Sequence, residues 1–139
     1  MPKIKAILFD LDGTLVDSFH DIADSVNHVL ATRNKPLKSI EEVRKHVGHG
    51  IKNMLEGAVE TGDEKDLDHA VEMFRGHYWD NCANKSVLYS GVLECLDSHD
   101  EYSKAVVTNK LRPFAEKCSI ASVLLNISMP YSEATISPL

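Results

Sequence analysis

The chain has 139 residues, of which 43% are hydrophobic and 26% are charged, as in an ordinary globular protein. The formal net charge of -6 disfavours nucleic acid or an anionic membrane surface as the main partner, because both would repel it. No apolar run approaches the length of a membrane span, and no signal-peptide pattern precedes the first strand-like run. Three cysteines without metal-site spacing are typical of a reduced compartment. We therefore expect a cytoplasmic protein with no membrane or nucleic-acid partner.

A short apolar run, Ile4–Phe9, predicts a buried strand that leads into an acidic turn containing Asp10, Asp12 and Gly13. Residues two apart in an extended chain point the same way and lie roughly 6–7 Å apart, so two carboxylates can flank one phosphorus atom. Asp10 is the candidate nucleophile, which would form an aspartyl-phosphate, and Asp12 is the candidate general acid and then base. Gly13 allows the backbone to approach a phosphate, and its amide can donate to a phosphate oxygen.

A metal ion is expected at the same turn. Attack by a carboxylate on a phosphate dianion needs charge neutralisation, which predicts Mg²⁺ bound by Asp10 and a nearby backbone carbonyl. Asp10 and Asp12 are the candidate metal positions. The alternative for the bare pattern is an acidic turn at a strand end, where Asp and Gly are common.

Helical patterns cover most of residues 17–85. Ser18 and Asp21 predict a capping-box-like start for the first helix, and Ser39 with Glu42 predicts a cleaner capping box for a short helix that Gly48 would end. Two further helices have apolar faces formed by Ile51, Met54, Leu55, Ala58 and Val59, and by Leu67, Ala70, Val71, Phe74 and Tyr78. This strand-free segment predicts a small helical bundle.

The pattern changes again after the bundle. A short helix near Val92 precedes a second strand, Lys104–Thr108, which ends in a polar turn, as the first strand does. Strand, helical insert, helix and strand predict an α/β fold, with a parallel-sheet core formed by residues 1–16 and 86–139 and an inserted helical cap formed by residues 17–85.

The segment Phe9–Ser18, which reads FDLDGTLVDS, resembles the first motif of the haloacid dehalogenase superfamily, and specifically its phosphatases, because the dehalogenases lack the second aspartate, Asp12. The likeness continues through residues 42–50, 89–92 and 105–110, and together these segments resemble phosphoglycolate phosphatases over roughly residues 3–117. The resemblance implies a Rossmann-like core and Mg²⁺-dependent hydrolysis of a small phosphorylated metabolite, such as 2-phosphoglycolate.

The resemblance also implies roles for residues outside the first motif. Thr108 corresponds to the second motif, whose hydroxyl binds the transferring phosphoryl group, with Asn109 beside it. The loop Gly48, His49 and Gly50 would lie on the cap over the site and help to select the substrate. The alternative for this loop is a helix C-cap followed by a solvated histidine.

The tail departs from the family pattern. The resemblance requires, after the second motif, a helix, a strand, a catalytic lysine and a further strand with acidic Mg²⁺ ligands, and none is recognisable beyond Lys117. Lys110 does not correspond to that lysine, and Val123–Ile127 is a candidate third strand. We therefore expect an incomplete, truncated core. Three interpretations stay open: a phosphomonoester hydrolase, a sugar phosphomutase of the same superfamily, and a non-catalytic truncated paralogue that associates with a full-length relative.

Overall fold

The computed structural model describes residues 3, 5–118 and 131–133, the last three through their backbone. The strands are β1 (Ala6–Phe9), β2 (Val16–Asp17), β3 (Val87–Leu88), β4 (Ser103–Thr108) and β5 (Tyr131–Glu133). The helices are α1 (Phe19–Thr32), α2 (Ile40–Arg44), α3 (Ile51–Val59), α4 (Glu64–Asn81), α5 (Val92–Asp97) and α6 (Arg112–Lys117). No described helix is both long enough and apolar enough to cross a membrane.

A parallel sheet in the order β1-β4-β5 forms the described core. Phe9 of β1 pairs with Val106 of β4, and Thr108 of β4 pairs with Glu133 of β5. The fold is therefore α/β with a parallel sheet, as the sequence predicted. The predicted third strand, Val123–Ile127, lies outside the described residues, and β5 follows it in the chain. Because the strands are parallel, the turns after β1 and β4 meet at one edge of the sheet.

Helices α1 to α4 pack into a bundle inserted between β2 and β3. The apolar faces predicted for α3 and α4 are buried in it, except for Ile51, which is half-buried. Phe114 of the core helix α6 packs into the same cluster, so the bundle and the core share apolar contacts at α6. A second cluster, which includes Leu11, Leu96 and Val106, lies between the sheet and α5.

The start of α2 confirms the predicted capping box. The Ser39 hydroxyl accepts from the Glu42 N–H at 3.3 Å, and the Glu42 side chain accepts from the Ser39 N–H at 2.7 Å. The predicted end at Gly48 is wrong, because α2 ends at Arg44 and a series of turns follows.

The predicted capping-box-like start of α1 is also wrong. Ser18 occupies the N-cap position but makes no side-chain capping bond, because its hydroxyl donates to Asp12 at 2.6 Å. Asp21 accepts instead from the backbone N–H groups of Lys85 and Ser86. Both side chains are therefore committed to partners outside the helix.

A short two-stranded ribbon connects core and bundle. β2 and β3 pair antiparallel, with Val16 opposite Leu88 and Asp17 opposite Val87, where the chain leaves the core and returns to it. The sequence analysis expected no strand between residues 17 and 85, and it missed this ribbon at the boundary. The division into core and cap at residues 16 and 86 stays a prediction.

Candidate active site

The turns after β1 and β4 line one pocket with a volume of about 100 Å³. Asp10 and Asp12 follow β1, whereas Thr108, Asn109 and Lys110 end or follow β4. Between the two aspartates, the Leu11 side chain is buried in the core and is 3% exposed. The alternation expected of an extended chain is therefore present, and it brings both carboxylates to the same pocket.

The opposite wall of the pocket comes from the helical bundle between β2 and β3, called the cap below, and is mainly apolar. Its lining residues are Ile22, Val47, Gly48, Gly50, Ile51, Met54, Phe74 and Tyr78. A pocket of this size, well below the roughly 300–1,000 Å³ of sites for drug-sized ligands, suits a small metabolite. Two of the three predicted loop residues, Gly48 and Gly50, line it. His49 does not, because its side chain is exposed and its backbone C=O accepts from Asn53 at 2.9 Å. A substrate role for His49 stays a prediction.

Asp10 lies at the end of β1 and is exposed within the pocket, where a ligand can reach it. Its Oδ1 accepts from the Leu11 N–H at 2.8 Å, which fixes the carboxylate relative to the turn. This geometry suits a nucleophile presented at a strand end.

Gly13 shapes the turn between the aspartates and the bundle. Its φ of +82° is in the left-handed region, and a Cβ at this position would lie 2.8 Å from the Phe19 ring. Its N–H donates to the Val16 carbonyl at 2.8 Å, and Gly13 does not line the pocket. The turn and the close approach therefore explain the glycine, and donation to a phosphate stays a prediction.

The second turn holds a hydroxyl and an amide. Thr108 is buried, and its Oγ1 accepts from the Lys110 N–H at 3.0 Å. The Asn109 side chain donates to the Gly48 carbonyl at 2.6 Å, so the turn after β4 is linked directly to the cap loop. Both residues line the pocket with Asp10 and Asp12, as expected from the sequence, and their binding roles stay predictions.

Lys110 is the site residue whose role the sequence analysis missed. Its Nζ donates to Asp12 Oδ1 at 2.8 Å and to the Tyr78 hydroxyl at 2.7 Å. The side chains of Lys110 and Asp12 are 6% and 14% exposed. The sequence analysis considered Lys110 as a residue that does not correspond to the family's catalytic lysine, and nothing indicated that Tyr78, an apolar-face residue of α4, would contact it through its hydroxyl.

Burial and the neighbouring groups shift the pKa values of Lys110 and Tyr78. Burial by itself would lower the pKa of Lys110, but the neighbouring Asp12 carboxylate and Tyr78 outweigh it and hold that pKa above its usual range. Burial raises the pKa of the Tyr78 phenol, although the Lys110 cation offsets part of this effect. At neutral pH the cluster therefore holds an ammonium and a neutral phenol.

The predicted metal positions fit Mg²⁺ unequally. Carboxylate oxygens are the ligands that Mg²⁺ prefers, and Asp10 offers one that is exposed in the pocket. Asp12 Oδ1 already accepts from Ser18 and Lys110, and the Lys110 ammonium competes with a metal for this carboxylate. Within the part of the chain that the structure describes, no group of three or more His, Cys, Asp or Glu side chains is placed to hold a metal. The donor set therefore fits a metal at Asp10 better than one at the Asp12 side chain.

Sequence comparisons relate the chain to known enzymes. Residues 7–123 match the model of the haloacid dehalogenase-like hydrolase family. A phosphoglycolate phosphatase of Mesorhizobium japonicum is 40% identical over 113 residues, which cover 75% of this chain and 48% of the relative. One from Haemophilus influenzae is 40% identical over 118 residues, covering 78% of this chain and 53% of the relative.

A structural comparison gives the same relationship. The crystal structure of a predicted phosphoglycolate phosphatase from Haemophilus somnus has a TM-score of 0.82 and 30% identity, and the match covers 100% of this chain and 66% of that one. The chain spans about half the length of the curated relatives it matches. The family match, the parallel sheet with its helical bundle and the two aspartates after β1 agree, and the chain belongs to the haloacid dehalogenase-like hydrolases.

Proposed function

We propose that this chain hydrolyses a small phosphomonoester in the pocket between the sheet and the cap, and that 2-phosphoglycolate is the first substrate to test. The observation that carries the proposal is that Asp10, Asp12 and Thr108, from the carboxyl ends of two parallel strands, line one pocket. The curated relatives bear the name phosphoglycolate phosphatase, which supports this choice of substrate.

Two steps follow from the positions of the carboxylates. In the first, Asp12 is protonated at Oδ2, the oxygen that accepts neither from Ser18 nor from Lys110. An Asp10 oxygen attacks phosphorus, the ester P–O bond breaks, and Asp12 gives this proton to the leaving oxygen. In the second, Asp12 accepts a proton from water as the water oxygen attacks the same phosphorus. The P–O bond to Asp10 then breaks, which releases phosphate and restores the Asp10 carboxylate.

The other lining groups stabilise charge. The Thr108 hydroxyl and the Asn109 amide can donate to phosphoryl oxygens, because both residues lie at the strand end beside Asp10. Mg²⁺, when bound, would be held by Asp10 and would neutralise part of the phosphate charge. The cap wall is mainly apolar, which disfavours water around the leaving group.

Phosphate release from 2-phosphoglycolate and other phosphomonoesters, measured with and without Mg²⁺, tests the proposal. We expect Asp10→Asn to remove measurable turnover and Asp12→Asn to lower kcat by at least about 100-fold, the usual effect of losing one central catalytic group. Asp97→Asn serves as the matched control, because this exposed carboxylate on α5 does not line the pocket.

Three outcomes would contradict parts of the proposal. Turnover that survives Asp10→Asn would reject Asp10 as the nucleophile. A wild type that releases no phosphate from any tested ester would reject hydrolysis by this chain. A sugar phosphate that is isomerised without release of phosphate would instead identify a phosphomutase.

A further inference from the structure

One buried cation connects the cap to the acid–base residue of the pocket. Lys110 belongs to the turn after β4, and its ammonium donates both to the Asp12 carboxylate and to the hydroxyl of Tyr78, which belongs to α4 of the bundle. The distances are 2.7 Å to Tyr78 and 2.8 Å to Asp12. The side chain is 6% exposed, so water cannot readily replace either partner.

The Asp12 carboxylate is held at one oxygen. Both the Ser18 hydroxyl, at 2.6 Å, and the Lys110 ammonium donate to Oδ1. Two donors on the same oxygen restrict rotation of the carboxylate. Ser18 follows Asp12 closely in the chain, whereas Lys110 is 98 residues away and reaches Asp12 because β1 pairs with β4.

The Tyr78 ring is buried and packs against two other aromatic rings. The residue is 3% exposed, and its ring centroid lies 5.3 Å from those of both Phe74 of α4 and Phe114 of α6. The Tyr78 hydroxyl is thus presented to Lys110 from a rigid aromatic cluster that spans the bundle and α6.

We propose that Lys110 is a positioning residue for Asp12 and that the cap orients this acid–base residue through the chain of contacts Tyr78–Lys110–Asp12. The inference rests on the proposed hydrolysis and goes beyond it, because it assigns a function to a lysine outside the motif aspartates. Cap and core must be packed together for Lys110 to have both partners. The Tyr78 contact therefore adds the cap to the groups that hold the Lys110 ammonium against Asp12.

The test compares kcat and KM for phosphomonoester hydrolysis in Lys110→Met, Lys110→Arg and Tyr78→Phe. We expect Lys110→Met to lower kcat by about 100-fold and to change KM by less than about 3-fold, since a misplaced catalytic group costs about this much in rate. Arginine keeps the charge and should restore part of the loss. Tyr78→Phe keeps the ring and should lower kcat by about 10-fold.

A double variant separates a chain of contacts from two independent effects. If Tyr78 acts through Lys110, the Tyr78→Phe/Lys110→Met variant will have the kcat of Lys110→Met alone, within about 2-fold. Lys104→Met is the matched control, because this lysine of β4 is 7% exposed at its side chain and pairs with Asp100 at 3.0 Å, but does not line the pocket. It should lose stability and keep its kcat.

The outcomes are distinguishable. A Lys110→Met enzyme as active as Lys104→Met would overturn the inference and leave the proposed function intact. Effects of Tyr78→Phe and Lys110→Met that multiply would overturn the chain of contacts. A wild type without turnover would reject the proposed function, and the inference with it. Circular dichroism of each variant identifies loss of fold, in which case Tyr78→Phe and Lys110→Arg decide the result.

Discussion

The buried carboxylate of Asp21 joins the two chain segments that cross between core and bundle. The residue is 1% exposed and lies in the first turn of α1, just after the chain leaves the core. Its two oxygens accept from the Lys85 N–H at 3.0 Å, and one of them also accepts from the Ser86 N–H at 2.8 Å and the Ser86 hydroxyl at 2.6 Å. Both crossings between core and bundle therefore depend on it.

Replacing Asp21 with alanine should destabilise the chain by about 2–4 kcal/mol. The change leaves the buried Ser86 N–H without its acceptor, which costs about 1–3 kcal/mol, and the loss at the Lys85 N–H costs less because Lys85 is exposed and water can replace the acceptor. The Ser86 hydroxyl keeps a partner, because it also donates to the Cys82 carbonyl at 3.3 Å. Asp21→Asn retains one acceptor oxygen and should lose less. A loss of this size is a large part of the roughly 5–15 kcal/mol that stabilises a typical domain.

Urea unfolding followed by far-UV circular dichroism measures the effect, with Asp24→Asn as the control. Asp24 lies one turn further along α1 and also contacts Lys85, since its carboxylate accepts from the Lys85 ammonium at 2.6 Å. Both of these side chains are about half exposed. Solvent screens such a pair, so its loss should change the unfolding midpoint very little. An Asp21→Ala chain within about 1 kcal/mol of wild type, or as stable as Asp24→Asn, would refute this reasoning.

Two further predictions concern titratable side chains. Burial, and then the neighbouring His28 ring, lower the pKa of His77, so stability should be fully present above the ordinary value of 6.5 and decrease as the pH falls below it. Urea midpoints at about pH 7.5 and pH 5 should differ less in His77→Gln than in wild type, and a His77→Gln chain with an unchanged pH dependence would contradict this. Burial raises the pKa of the Cys118 thiol to about 12, whereas Cys95 is exposed. Iodoacetamide at about pH 8 should therefore modify Cys95 long before Cys118, which peptide mass spectrometry would measure. Equal labelling of the two cysteines would disprove this prediction.

Local sequence patterns predicted most of the helices and the two paired strands, although the expected burial of the first strand is wrong, because Ala6 and Leu8 of β1 are exposed. The apolar periodicity of α3 and α4 fixed their buried faces, and the Ser39–Glu42 capping box involves residues three apart, so a short segment contains all the information. The order of strand, helical insert and strand was sufficient to predict a parallel α/β sheet.

The features that sequence reasoning missed depend on distant partners or on very short elements. Ser18 and Asp21 have the spacing of a capping box, but the Asp21 carboxylate accepts from backbone N–H groups 64 and 65 residues away. The local capping bonds therefore do not form. The ribbon of β2 and β3 has two residues in each strand, too few to show an alternating pattern. The contact between Tyr78 and Lys110 joins α4 to the turn after β4, and no local pattern specifies it.

Trapping of the phosphorylated enzyme tests the central claim, that Asp10 accepts a phosphoryl group with Asp12 beside it. The chain would be mixed with a phosphomonoester and Mg²⁺, quenched in acid and digested for peptide mass spectrometry, with Asp10→Asn treated in parallel. We predict a phosphoryl adduct on Asp10 in the wild type and none on the corresponding peptide of Asp10→Asn. Phosphate release by the wild type without any adduct at Asp10, or with an adduct at another residue, would contradict the account.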